Sequence, residues 1–366
     1  RRFGSGNRKS NLIQKFFIAK KVIRFLFGRL PLSSKSAELR NLEASNKQNF
    51  LDFMGDKGFD ESKIRFYDHH ACHAATAYYC SPFDRAEVYT MDGREDGLSG
   101  SVSTALGVEM RCRATVSEFD SLGMFYSAIT AALGFRSNRH EGKITGLAAY
   151  GDPTLLYDRF RELFLPVEGG GSLELIVPGL GGFRSPGELA ESIRSSKLAI
   201  SKRMSILGTH NFEAACYNYK WNALLSHLAN YAAEYSAEDI AAAAQKVTED
   251  LVVELVSSTL EGKPVPVVLA GGLFANVKVN QMVLELDGVE NIYVHSAMGD
   301  DGISLGSALL DYYRKAENRK SPPERRSILS DVYLGSSYSE KEIMRACEAE
   351  RVACRRVENI SREVAL

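Results

Sequence analysis

The sequence predicts an α/β fold with a partly parallel sheet. Three observations carry this. Val265–Leu269 is a continuous apolar run that leads through Ala270-Gly271-Gly272 into a helical pattern. Asn291–His295 then leads through Met298-Gly299-Asp300-Asp301-Gly302 into a second helical pattern, so strand, glycine loop and helix recur. Upstream, Glu87–Met91 alternates, and Ser99–Leu106 and Glu109–Val116 read as its antiparallel partners joined by glycine turns.

From the N-terminus, residues 1–37 contain no acid, and Asn11–Leu30 has the pattern of a basic amphipathic helix. Such a helix packs its Leu, Ile and Phe face on a domain and leaves Lys and Arg in water, although a membrane surface or a transit sequence would show the same pattern. Leu39–Phe59 is polar and helical in pattern. Lys63–Tyr67 reads as a strand, and the Ala-rich run after it as a helix. Ser121–Leu133 is an apolar helix. Gly134–Pro153 reads as a polar loop-rich segment, and residues 154–237 resemble an insertion with glycine turns at Gly169-Gly170-Gly171 and Gly179–Gly182. Glu238–Glu261 is a strong amphipathic helix, with Ile240, Ala244, Val247, Leu251, Leu255 and Leu260 at helical spacing and Pro264 beyond its end. A helix is predicted from Ala275 to Leu286 and another from Ile303 to Tyr313. The tail from Leu329 reads as strand, helix (Ser339–Glu350) and strand.

The 366 residues suit about two or three domains or two lobes of one fold. Forty-five basic against 46 acidic side chains give a net charge of −1, which offers no general argument for a nucleic-acid partner. The six cysteines lack CxxC spacing and suggest no disulfide framework, which fits a reducing compartment and a cytoplasmic location. No apolar run is long enough to span a membrane.

Candidate chemistry begins at His69-His70-Ala71-Cys72-His73, where three of the seven histidines sit in five positions. If the helix starts at His69, the imidazoles of His69 and His73 share one face and suit one divalent metal ion; capping or core hydrogen bonding is the bland alternative. Asp300 and Asp301 sit in a tight turn that offers a third ligand or an N-cap. Asp92-Gly93 at a strand end suits a phosphate loop or a plain hairpin turn. Gly271-Gly272 opens a helix where backbone meets a ligand, and Asn276 and Asn280 share one face of that helix. Glu141 is a candidate base or hydroxyl-orienting group and Lys143 a phosphate partner; a surface ion-pair cluster is the alternative.

The order of these signals is specific. HHxxHAxxAYY, VxTxDG, SLGxFYSAxTxxLGF, EGKxxGLAAYGDP, AGGLxxNVxxN and GDDGxxLGSAL together resemble the NodU/CmcH-type O-carbamoyltransferase family, from about Phe66 to Tyr338 with a poorly matching gap between about Leu155 and Ser236. The resemblance implies a two-lobed fold of the actin-like ATPase (ASKHA, ribonuclease H-like) type, related to the tRNA threonylcarbamoyl transferases. It implies a divalent metal, iron(II) by expectation, held by His69, His73 and Asp300, with Asp301 as the substitute third ligand. It implies adenosine and ribose contacts at Gly271, Gly272 and Asn276, and Lys143 near the phosphate. It further implies that carbamoyl phosphate and ATP give carbamoyl-adenylate on a YrdC-like domain in cis, and that the carbamoyl group passes to a hydroxyl of a sugar or natural product.

Within that reading, residues 1–83 form the remainder of a first lobe, 84–316 the second lobe with the nucleotide and metal site, and 317–366 a linker towards the YrdC-like domain. The family's early His-Asp hairpin is expected before this chain and the YrdC-like domain after it. The family's DGxGE pattern reads Asp92-Gly93-Arg94-Glu95-Asp96 here, so a carboxylate replaces a glycine of the expected phosphate loop. A tRNA-modifying or kinase-like member of the same fold and a non-catalytic scaffold are the alternatives; acceptor and oligomeric state are not written in the sequence.

Overall fold

The computed structural model describes residues 47–166, 173–177, 212–260, 262, 264–317, 331–333 and 335–365. Asn11–Leu30, Gly169–Gly171 and Gly179–Gly182 lie outside the described residues. Two compact units divide at Ile328/Leu329. The boundary expected at 83/84 therefore falls inside the first unit.

That unit is built on a five-stranded sheet. Its strands are β1 (Arg85–Glu95), β2 (Leu98–Leu106), β3 (Glu109–Ser117), β6 (Val265–Ala270) and β7 (Val289–Val294), in the order β3-β2-β1-β6-β7. β1–β2 and β2–β3 are antiparallel; β1–β6 and β6–β7 are parallel. A two-stranded pair, β4 (Phe164–Pro166) and β5 (Leu173–Leu175), lies apart from it. The alternation read in the sequence thus becomes a mixed sheet.

β1 runs further than expected. The strand does not end at Asp92-Gly93 but continues to Glu95, and the hairpin turn falls at Asp96-Gly97, where both residues have positive φ (52° and 79°). Two central residues with φ above zero match the twist of the flanking strands, which is why Asp-Gly suits this turn. The ladder is irregular between Met91 and Glu95, so Asp92 and Gly93 occupy a bulge rather than a loop.

Helices cover both faces of the sheet. The helices α2 (His69–Cys80) and α9 (Ile303–Glu317) pack with Val88, Val268 and Ala270. The helices α3 (Leu122–Ala132), α7 (Ala237–Thr259) and α8 (Val277–Leu284) pack with Tyr89, Met91, Val267 and Leu269. Successive strand residues point to opposite faces, so β1 and β6 feed two cores, and their apolar content is nearly continuous as a strand covered on both sides requires. Ile240, Ala244, Val247, Leu251 and Leu255 of α7 are all buried, each larger side chain contributing about 1.5–3 kcal/mol on burial. Ser236 caps α7 by accepting from Asp239 N.

Other expectations change. Residues 47–56, labelled α1, are helical, within the Leu39–Phe59 prediction. Lys63–Tyr67 is not a strand: a short 3-10 turn ends at Lys63, and the extended residues after it find no ladder partner among the described residues. The loop-rich 134–153 segment contains α4 (Glu141–Ala148). The predicted Ala275–Leu286 helix begins later, because Gly272–Ala275 forms a 3-10 turn and Asn276 caps α8 by accepting from the amides of Lys278 and Val279. The described residues also include α5 (Tyr157–Arg161) and α6 (Phe212–Tyr231).

The second unit carries α10 (Glu340–Ala349) and α11 (Ile360–Ala365). Ser339 and Glu342 form a reciprocal capping box at the start of α10. Neither strand predicted for the tail forms a ladder among the described residues. No helix of the described residues is long and apolar enough to cross a membrane.

Candidate metal centre and nucleotide cavity

The site forms where parallel strands end. Side by side, β1 and β6 pair Thr90 with Ala270, so Asp92 in the β1 bulge and Gly272 lie together just beyond the end of the parallel pairing. The segment after β7 brings Asp300 to the same edge. Ligands of open α/β sheets bind in that crevice because the backbone there has left the ladder.

Helix α2 supplies the histidines. It starts at His69, as the spacing required, and Asp68 caps it by accepting from Ala71 N at 2.7 Å. Asp96 in the hairpin turn accepts from His69 N at 2.9 Å, so the turn holds the first residue of the helix. Four residues apart, His69 and His73 bring their Nε2 atoms to 3.0 Å. His70 faces away, with Nδ1 3.0 Å from Thr90 Oγ1 on β1, and burial pushes its pKa down.

Two carboxylates complete the cluster. Asp92 Oδ2 lies 3.0 Å from His73 Nε2, and Asp300 Oδ1 lies 3.6 Å from the Nε2 of both histidines. All four ligand atoms lie within 4.8 Å of one another. Asp301 faces the neighbouring cavity but is not in this group. The donor set fits a divalent cation. A single His73 N–H cannot serve His69 and Asp92 at once, and two carboxylates held this close repel unless a cation lies between them. Mixed imidazole and carboxylate donors suit iron, manganese or zinc.

Asp92 is held firmly. Its Oδ1 accepts from Gly93 N at 2.6 Å and its Oδ2 from Gly272 N at 3.0 Å. Burial raises its pKa, but His73 and these two amides outweigh burial and hold the carboxyl down at about 2. Gly271 has φ 94°, and a Cβ there would sit 2.1 Å from Met91 O, so only glycine lets β6 turn off beside β1.

Beside the cluster opens a cavity of about 740 Å³. Asp92, Gly93, Gly272, Asn276, Glu141 and Asp300 line it, so most of the predicted site residues converge. Glu141 Oε1 accepts from Ser127 Oγ (2.9 Å) and from Asn138 N (2.6 Å), which fixes the carboxylate at the start of α4. Asn276 exchanges hydrogen bonds with Gln245, which also accepts from Tyr126 OH at 2.8 Å.

Three predicted residues stand elsewhere. Lys143 lies with Nζ 5.3 Å from the Phe135 ring centre and does not line the cavity. Asn280 is buried, and its Nδ2 donates to Phe274 O at 2.8 Å, pinning the turn before α8 instead of facing a ligand. Gly271 acts through backbone shape rather than as a cavity wall.

Sequence reasoning gave Asp92 a phosphate-loop role and missed it as a ligand-type carboxylate; a carboxylate leaving the end of a buried strand beside Gly271-Gly272 was the available signal. Arg94, Tyr126, Thr145 and Tyr217 also line the cavity. Tyr217 lies on α6, inside the stretch where the motifs stop matching, and nothing in its local pattern marked it.

The family model described as the carbamoyltransferase N-terminus matches residues 14–309. The chain belongs to the carbamoyltransferase family. Similar curated proteins include an uncharacterized protein of Methanocaldococcus jannaschii, 30% identical over 302 residues, covering 76% of this chain and 42% of the relative. Nodulation protein NolNO of Sinorhizobium fredii is 29% identical over 298 residues, covering 80% of this chain and 37% of the relative. Nodulation protein NolO of Bradyrhizobium diazoefficiens is 28% identical over 270 residues, covering 73% and 41%. The chain spans about two fifths of the length of these relatives.

Proposed function

We propose that this chain carries the carbamoyl-transfer site of an ATP-dependent O-carbamoyltransferase, in a ribonuclease H-like lobe of the actin-like ATPase type. One observation carries the reading: the His69–His73–Asp92–Asp300 cluster opens onto the same cavity as Gly272, Asn276 and Glu141. The sheet order, three antiparallel strands followed by two parallel ones, supports the fold assignment.

In this reading His69, His73, Asp92 and Asp300 hold a divalent ion. When bound, iron(II) or a similar ion supplies Lewis-acid polarisation of the carbamoyl carbonyl. Carbamoyl-adenylate, made from carbamoyl phosphate and ATP on a YrdC-like domain of the whole protein, occupies the cavity with its ribose towards Asn276. The acceptor is a small molecule bearing a hydroxyl. Its oxygen bonds to the carbamoyl carbon, the carbon–oxygen bond to phosphate breaks, and AMP leaves with the electron pair. Glu141 orients that hydroxyl and takes its proton: among the described residues Oε1 accepts both hydrogen bonds that the carboxylate receives, which leaves Oε2 to act. The reaction belongs in the cytoplasm, where ATP is available, and needs no nucleic acid.

Anaerobic titration with iron(II), followed by a non-hydrolysable carbamoyl-adenylate analogue, tests the reading. Metal-dependent binding of the analogue that is lost in a His69→Ala/His73→Ala double variant supports it. A folded chain that binds neither sinks it and favours a scaffold.

A further inference from the structure

The glycine amides that would cradle a phosphate at this strand edge are already engaged. Gly93 N donates to Asp92 Oδ1, and Gly272 N donates to Asp92 Oδ2. Glu95 is paired with Leu98 in the hairpin ladder. The Gly93 and Gly272 amides are therefore spent on holding a metal-type ligand, and Glu95 on the sheet. A side chain is the better partner for an anion here.

Arg94 fits that task. It lines the cavity two residues beyond Asp92. Its guanidinium carbon lies 4.0 Å from the Tyr217 ring centre, a cation–π contact that fixes the plane of the fork. Glu118, buried beneath, is 3.5 Å from Nη1 and balances the charge. Nη1 is buried against that carboxylate, while the side chain as a whole keeps 35% of its surface exposed and lines the cavity. The guanidinium is thus anchored through one nitrogen, and its remaining N–H donors are left for an anion. The other cations nearby serve less well: Arg139 lines the cavity from an exposed position, and Lys143 lies over Phe135 outside it.

We infer that Arg94 holds the phosphate of the bound nucleotide, as a side-chain substitute for a glycine-rich phosphate loop. The inference rests on the proposed nucleotide reading and names the phosphate contact within it. Arginine suits the role because its planar fork meets two phosphate oxygens at once. It also accounts for the departure at Glu95, since a loop that contacts phosphate through a side chain has no need of a second glycine.

Calorimetric titration with AMP and with adenosine, on the wild-type chain and on Arg94→Gln, Arg94→Lys and Arg139→Gln, tests this. Arg94→Gln is expected to weaken AMP about 10- to 100-fold, with adenosine within about twofold of wild type. Arg94→Lys keeps the charge but loses the fork, and should fall between. Circular dichroism confirms that each variant is folded; if Arg94→Gln is not, Arg94→Lys alone must still separate AMP from adenosine. An equal loss of both ligands, no loss of either, or a phosphate-specific loss in Arg139→Gln alone overturns the assignment and leaves the nucleotide reading intact. A wild-type chain that binds neither ligand removes both.

Discussion

His73 Nε2 lies 3.0 Å from Asp92 Oδ2, joining α2 to the bulge of β1. The contact makes Asp92 the pivot of the site, since the same carboxylate also receives the Gly93 and Gly272 amides. Asp92→Asn keeps the shape but removes the charge and one acceptor oxygen. Divalent metal affinity, measured by anaerobic calorimetry with iron(II) or manganese(II), should fall by at least about 100-fold, because even outer partners of a metal ligand are worth about 10- to 100-fold. Stability should fall too, by about 1 kcal/mol, since one of the donors on Asp92 loses its acceptor. Unchanged metal binding would exclude Asp92 as a ligand.

Gly306 sets how closely α9 approaches α2. A Cβ there would sit 2.0 Å from Cys72 O and 2.6 Å from Thr76 Oγ1, and Thr76 Oγ1 also donates to Gly302 O at 2.7 Å. Gly306→Ala must push the histidine helix away from the turn that carries Asp300. A loss of about 3 kcal/mol or more is expected in thermal or urea unfolding, together with weaker metal binding. Gly146→Ala is the control: a Cβ added there, inside α4, would meet nothing within 4 Å, so removing helical glycine entropy should stabilise by about 0.5–1 kcal/mol.

Much of this arrangement was legible because it depends on local patterns. The i, i+4 histidines, the apolar β6 run and the α7 spacing each contain their own structural instruction. Asp92-Gly93 misled because Asp-Gly is a turn signal in isolation, and the same dipeptide recurs at Asp96-Gly97, where the turn forms. The choice between them is made by sheet register, which is a long-range property. Lys63–Tyr67 failed for a related reason, since an alternating run becomes a strand only where a neighbour offers its hydrogen bonds. Tyr217 was invisible because its role is set by what α6 packs against.

Gln245 ties the cavity wall to α7. Its Oε1 accepts from Tyr126 OH and Asn276 Nδ2, both at 2.8 Å, and its Nε2 donates to Glu249 Oε1 at 2.8 Å. Gln245→Leu takes a hydrogen bond from Tyr126, Asn276 and Glu249, although Tyr126 keeps Thr145 and Asn276 its capping amides, and should cost about 2–3 kcal/mol in urea unfolding. Tyr126→Phe removes the bonds to Gln245 and to Thr145 Oγ1 and leaves Gln245 with Asn276, so about 1–2 kcal/mol is expected. AMP affinity should drop for Gln245→Leu more than for Tyr126→Phe, because only the first frees the Asn276 amide to rotate. Equal effects on AMP would mean that Asn276 is fixed by its capping bonds alone.

Lys220 on α6 is fully buried, with Nζ 3.6 Å from the equally buried Asp120, whose Oδ1 accepts from Leu175 N on β5. Burial pushes the lysine pKa down, Asp120 pulls it back up, and the balance stands at about 8 against an ordinary 10.5. Between these values the unfolded chain keeps a proton that the folded chain has released, so stability should rise with pH through that window and be lowest, as far as this group is concerned, below pH 8. Lys220→Met leaves Asp120 buried without its cation and should cost about 3 kcal/mol near neutrality. Lys220→Met/Asp120→Asn removes both charges while keeping an acceptor for Leu175 N, so it should recover most of that loss and flatten the rise. Urea midpoints measured from about pH 7.5 to 9.5 on the three proteins read both effects. A slope that survives in the double variant would place the titrating group elsewhere.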